Sequence, residues 1–155
     1  MSIEVLIVED KDAKFEAISA VVGSVAPKAV IHRARTVVEA ERMVREPRWK
    51  LLLLDISMDI SGDSRGALSG GHANLGGIDV VETMFYENII IPTIVVTGFD
   101  YFIAAGPDEG TEYIGLSELE ALVRGKMPVG YLGYVRYGVD GWVNSLIAAC
   151  GGVVW

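Results

Sequence analysis

Lys50-Leu51-Leu52-Leu53-Leu54-Asp55-Ile56 is the stretch that decides the fold. Four leucines run without a polar break, so a strand here must be covered on both faces, as in a parallel sheet. A strand with one wet face would alternate apolar and polar residues instead. The run therefore predicts a central strand that ends in a carboxylate, Asp55. Similar stretches flank it. Ile3–Val8 reads as a buried strand ending in Glu9-Asp10. Ala29–Ala34 is less apolar and suits a sheet edge. Ile91–Val96 ends in Thr97-Gly98, and Tyr131–Val135 is followed by Arg136.

Helical patterns fill the spaces between these strands. Phe15, Ile18, Val21, Val22 and Val25 recur at helical spacing, with Asp12 placed to cap the helix and Pro27 to stop it. Thr36 is placed to cap a second helix that runs to about Glu46 and carries Val37, Ala40, Met43 and Val44 on one face. Ile78–Tyr86, Leu116–Arg124 and Gly141–Ala149 supply three more. Strands and helices in alternation imply an α/β fold: a doubly wound five-stranded parallel sheet, with right-handed crossovers placing helices on both faces. Residues 1–155 read as a single domain. It carries a long Gly-, Ser- and Asp-rich loop over about 57–76 and an extended region over about 99–130, whose first part, Phe99–Gly115, has no clear period.

Composition bounds the function. The chain has 155 residues, 51% of them hydrophobic and 22% charged, which is enough apolar material for a core. A net charge of −8 repels phosphate backbones and acidic membranes, so neither direct nucleic-acid nor membrane binding is expected. The single cysteine, Cys150, forms no disulfide within the chain and is expected in the core. The apolar runs are too short to span a bilayer, and no basic segment precedes the first of them. A cytoplasmic protein is the expectation. His32 and His72 have no partner at zinc-ligand spacing. Gly70–Gly77 lacks the lysine and hydroxyl of a phosphate-binding loop. Trp49, Trp142 and Trp155 are expected to pack.

In a doubly wound sheet the ligand site lies beyond the carboxyl ends of the strands. This rule brings Glu9, Asp10, Asp55, Thr97 and Arg136 toward one crevice, although they are far apart in sequence. Three carboxylates at one place call for a neutralising cation. Magnesium suits them, because it takes oxygen ligands and retains water. Asp55 could then act as a nucleophile toward a phosphoryl group, with the Thr97 hydroxyl and the Arg136 cation bonding its oxygens.

The same residues carry a family resemblance. Leu6-Ile7-Val8-Glu9-Asp10-Lys11-Asp12 resembles the first strand of two-component response-regulator receiver domains, with its acidic pair. Leu53-Leu54-Asp55-Ile56-Ser57-Met58 resembles their phospho-acceptor segment, and Gly76-Gly77-Ile78-Asp79-Val80-Val81 the start of the helix that follows. Ile94-Val95-Val96-Thr97-Gly98 resembles the strand carrying their switch hydroxyl. The resemblance implies a flavodoxin-like domain that takes phosphate on Asp55 from a histidine kinase, a phosphotransfer protein or a small donor. It implies Mg2+ held by Glu9, Asp10, Asp55 and the backbone carbonyl of Ser57, with Thr97 sensing the phosphoryl group. It also implies signalling through a downstream protein partner rather than enzymatic turnover, beyond self-phosphorylation and autodephosphorylation. A homodimer is compatible with it.

Several positions depart from the family pattern. Arg136-Tyr137 stands where receivers carry lysine and proline, and arginine is a larger planar fork. Gly133 stands where an aromatic switch residue is expected, with Tyr131 and Tyr134 beside it, and Asp59 replaces a proline. These departures favour a second reading, a phosphorylation-independent pseudo-receiver that binds partners. A third reading is a metal-dependent nuclease of the Toprim kind, since Ile7-Val8-Glu9-Asp10-Lys11-Asp12-Ala13 also resembles the glutamate-bearing strand of that family. Its paired aspartates are absent at the required spacing: Asp55 and Asp59 are too far apart.

Overall fold

A computed structural model of the chain describes residues 2–58, 72–73, 75–105 and 111–155. The predicted Asp59 contrast and most of the glycine-rich loop therefore lie outside the described residues. The elements are β1 (Ile3–Val8), α1 (Asp12–Val25), β2 (Ala29–Ala34), α2 (Val37–Val44), β3 (Trp49–Leu54), β4 (His72–Ala73), α3 (Gly76–Tyr86), β5 (Thr93–Thr97), β6 (Tyr101–Ala105), β7 (Thr111–Gly115), α4 (Leu116–Lys126), β8 (Tyr131–Arg136) and α5 (Trp142–Cys150).

Five strands form a parallel sheet in the order β2-β1-β3-β5-β8. The leucine run explains why β3 is at its centre. Leu52 and Leu54 point to one face, where they join Leu6, Val8 and Val95 under α2, α3 and α4. Leu51 and Leu53 point to the other, joining Val5, Ile7, Ile94 and Val96 under α1 and α5. All four leucines are buried. Each such side chain contributes about 1.5–3 kcal/mol through burial, so this strand holds both layers together. Ala29–Ala34 lies at the sheet edge, as its mixed pattern predicts.

Some local expectations change. Asp12 does not cap α1: it is the first helical residue, and Lys11 takes the cap position without a side-chain bond. The Asp12 carboxylate is drawn instead to two cations from the β2 side, Arg33 at 2.8 Å and Arg35 at 3.1 Å. Thr36 does cap α2, accepting from the Glu39 amide at 3.1 Å, but that helix stops at Val44. The patternless Phe99–Gly115 segment holds a hairpin. β6 and β7 pair antiparallel, and β4 joins β6 in parallel, giving a second sheet ordered β4-β6-β7. Phe102 anchors it in the main core.

α3 begins two residues earlier than the apolar pattern alone indicates, at Gly76. A Cβ at Gly77 would fall 2.5 Å from the Asp55 carbonyl oxygen and 2.5 Å from the Ile56 Cα. A Cβ at Gly76 would fall 1.9 Å from the Met58 carbonyl oxygen. The two glycines thus let the helix start seat directly on the chain leaving β3. Gly77→Ala is expected to lower stability by about 1–3 kcal/mol in chemical denaturation, the usual range for overpacking. A change within about 0.5 kcal/mol, the surface-substitution range, would mean that this close approach is not a constraint.

Candidate functional site

The carboxyl ends of β1, β3 and β5 lie side by side. Backbone bonding continues just past the strands: the Asp55 amide donates to the Val8 carbonyl at 3.1 Å, and the Glu9 amide to Ala34 at 3.0 Å. This pairing fixes Glu9 and Asp55 as neighbours across the sheet end. Ligand oxygens of Glu9, Asp10 and Asp55 all lie within 4.8 Å of one another. Glu9 and Asp55 are almost wholly buried, at 1% and 4% exposure, whereas Asp10 is half-buried. A pocket of about 320 Å³ opens over Glu9 and Asp55, lined also by Lys14, Ser57, Phe99 and Tyr137.

Each oxygen of Asp55 has a distinct environment. Oδ1 accepts from the Ser57 amide at 2.9 Å and from the Ser57 hydroxyl at 2.6 Å. Oδ2 faces the ammonium of Lys14 at 3.4 Å. Glu9 is similarly divided. Its Oε1 accepts from the Lys11 amide at 3.0 Å. Its buried Oε2 sits 2.8 Å from Lys14 Nζ as an ion pair, without an aligned hydrogen-bond donor. Burial, followed by the charge on Asp55, pushes the Glu9 carboxyl well above the ordinary range, and Lys14 only partly offsets this. Burial disfavours the Lys14 charge, but the Asp55 and Glu9 carboxylates outweigh it and hold its pKa above the usual value.

Lys14 was not singled out from the sequence. The signal was there: a lysine on the same helical stripe as Ile18, Val21 and Val25 has a charged group where α1 faces the sheet. Its ammonium also donates to the Val96 carbonyl at 3.0 Å, so it bridges the ends of β1, β3 and β5.

Thr97 ends β5 and is fully buried. Its hydroxyl oxygen accepts from the Phe99 amide at 3.2 Å, which leaves the hydroxyl proton for another acceptor. Arg136 pairs with Thr97 in the β5–β8 register, so it stands at the expected strand end. Its guanidinium is engaged elsewhere. Nε donates to Asp100 at 2.8 Å, and a terminal nitrogen donates to the Tyr137 carbonyl at 2.9 Å. Gly133 has φ +126° beside a register shift between β5 and β8, a backbone conformation that a side chain there would strain. Of its tyrosine neighbours, Tyr131 donates its hydroxyl to Glu120 at 2.9 Å, and Tyr134 is exposed. Tyr137 lines the pocket and packs edge-on against Trp142 at 4.8 Å between ring centres. Cys150 is buried, and burial raises its thiol to about 11.

The cluster suits a hard divalent cation. Its donors are oxygens only, and a buried Glu9 oxygen is left without a hydrogen bond. With Lys14 counted, the formal balance is two negative charges, which one divalent ion would cancel.

Comparison with known proteins agrees with this architecture. No protein-family model matches the chain, and no curated protein does. Solved structures do. A CheY-like response-regulator receiver domain from Methanospirillum hungatei JF-1 superposes with a TM-score of 0.62 at 15% identity, covering 97% of this chain and 92% of that one. The receiver domain of the Francisella response regulator 1452 gives 0.57 at 15% identity, covering 97% and 94%. The signal receiver domain of a DNA-binding response regulator from Colwellia psychrerythraea 34H gives 0.59 at 16% identity, covering 97% and 96%. The chain has the receiver-domain fold, as the motif order predicts. Among the described residues, no helix is long and apolar enough to cross a membrane.

If these carboxylates hold a divalent ion, magnesium at tenfold over its dissociation constant adds about 1.4 kcal/mol of stability. A thermal melt should then rise by a few degrees with magnesium, and Glu9→Gln/Asp10→Asn should abolish the rise. An equal rise in that double variant would place the binding elsewhere.

Proposed function

We propose that this chain is a signalling receiver that accepts a phosphoryl group on Asp55 and acts by binding a protein partner. The observation that carries the reading is the convergence of Glu9, Asp10 and Asp55 at adjacent strand ends, with Asp55 buried yet lining an open pocket. Receiver-like folds in the solved structures support it, and so does a net charge of −8 unsuited to nucleic acid.

In this reading Glu9, Asp10, Asp55 and the Ser57 carbonyl hold Mg2+, which would screen the incoming phosphoryl charge from the acids. The chain's own residues do the rest. Ser57 locks one Asp55 oxygen with two hydrogen bonds, which orients the carboxylate and leaves Oδ2, the oxygen beside Lys14, free of Ser57. The Thr97 hydroxyl turns its proton to a phosphoryl oxygen, and this links the acceptor to the chain beyond β5. The phosphoryl source is a histidine kinase, a phosphotransfer protein or a small acyl phosphate, and the protein works in the cytoplasm.

A second reading is a pseudo-receiver that needs no phosphate. The buried Lys14 ammonium favours it, because it already gives Glu9 and Asp55 a counter-charge. One experiment separates the two. The protein incubated with magnesium and acetyl phosphate should gain the mass of one phosphate, and Asp55→Ala should gain none. A folded wild-type protein that gains no phosphate from acetyl phosphate or from a panel of histidine kinases would leave the pseudo-receiver reading.

A further inference from the structure

Arg136 and Lys14 offer two cations near the acceptor, and the structure treats them differently. Arg136 spends its guanidinium on Asp100 and the Tyr137 carbonyl. Asp100 is exposed and lies 2.8 Å from Arg136 Nε, so this pair sits on the rim. Lys14 is buried, lines the pocket and points its ammonium at Asp55 Oδ2. Its third contact, the Val96 carbonyl, fixes it one residue before Thr97. The Tyr137 ring sits 5.6 Å from Nζ and closes the other side.

Building on the phospho-acceptor reading, we propose that Lys14, from the first helix, is the cation that holds the phosphoryl oxygens on Asp55. The charge is thereby supplied from α1 and not from the end of the last strand. The step balances simply. Asp55 Oδ2, the oxygen that Ser57 leaves unbonded, forms a bond to phosphorus. The bond from phosphorus to the donor atom breaks: with acetyl phosphate it is a P–O bond whose electron pair leaves with acetate, and with a phosphohistidine it is a P–N bond whose electron pair leaves with the imidazole. Lys14 keeps its proton throughout and balances charge on the transferred oxygens. Lysine suits this place better than arginine, because a compact ammonium fits between three strand ends where a planar fork would not.

The role has a signature that a merely structural lysine lacks. Lys14 attracts the phosphoryl group but repels a metal cation at the same carboxylates. Removing its charge should therefore move the two in opposite directions. The experiment compares wild type, Lys14→Met, Lys14→Gln and Arg136→Met, each checked for folding by circular dichroism. Phosphorylation rate is read by mass with acetyl phosphate, and magnesium affinity by tryptophan fluorescence without any phosphodonor. Lys14→Gln keeps a polar donor without the charge, so it tests the charge even if the methionine variant fails to fold. The expected result is a rate lower by about 10²-fold in the Lys14 variants, the usual loss for one transition-state donor. Magnesium should bind about tenfold tighter in the same variants. An unchanged rate in Lys14→Gln would overturn the proposal. So would a loss of both rate and magnesium affinity, or a rate that collapses in Arg136→Met and survives in Lys14→Gln. Absence of phosphate gain in wild type itself would instead remove the acceptor reading, and this role with it.

Discussion

Two carboxylates are buried at neighbouring strand ends, and a single ammonium lies between them. That interaction constrains the rest of the site. Parallel pairing of β1 with β3 forces Glu9 and Asp55 together, whatever the side chains prefer. Burial, and after it the neighbouring Asp55 charge, pushes the Glu9 carboxyl up. A unit pair at about 4 Å is worth about 4 kcal/mol at an effective dielectric of about 20, against a desolvation cost of several kcal/mol per ion. Lys14 therefore offsets the cost of the buried acids without cancelling it. A residual negative balance remains; in the proposed reading it draws a divalent cation, and that cation together with Lys14 would offset the repulsion between the acids and an incoming phosphoryl group.

The scaffold explains why the arrangement can persist. β3 has its leucines locked into both cores, so Asp55 extends from the most constrained strand of the sheet. Gly76 and Gly77 bring the start of α3 onto the backbone just beyond it. On the other side, the hairpin after β5 and the short β4 strand form a second sheet. Its pairing ties residues 72–73, in the chain that follows Asp55, to the chain that follows Thr97.

Much of this was legible in the sequence. Continuous apolar runs marked the central strands, and two of them, ending in Glu9-Asp10 and Asp55, marked the ligand end of the sheet, because burial on both faces leaves no room for polar residues. Glu9, Asp10 and Asp55 could be grouped by that rule alone. Arg136 shows where the rule stops. It fixes where a side chain begins but not where a long one ends, and Asp100, inside the patternless segment, captured this one. Lys14 was hidden for the opposite reason. Helical apolar spacing marks a buried stripe through its hydrophobic members, so a lysine on it reads as an interruption until the acids it meets are located in space. The β6–β7 hairpin lacked any periodic signal in the sequence, although Phe102 and its cross-strand partner Ile114 pack on the main core.

The most direct test is a crystal structure of the protein with magnesium and beryllium trifluoride, a stable mimic of a phosphoryl group on a carboxylate. The account predicts the mimic attached to Asp55, a metal ion among Glu9, Asp10 and Asp55, and the Lys14 ammonium in hydrogen-bond contact with a fluoride while Arg136 stays on Asp100. A mimic held by Arg136 with Lys14 turned away, or no adduct at Asp55 under saturating conditions, would contradict it.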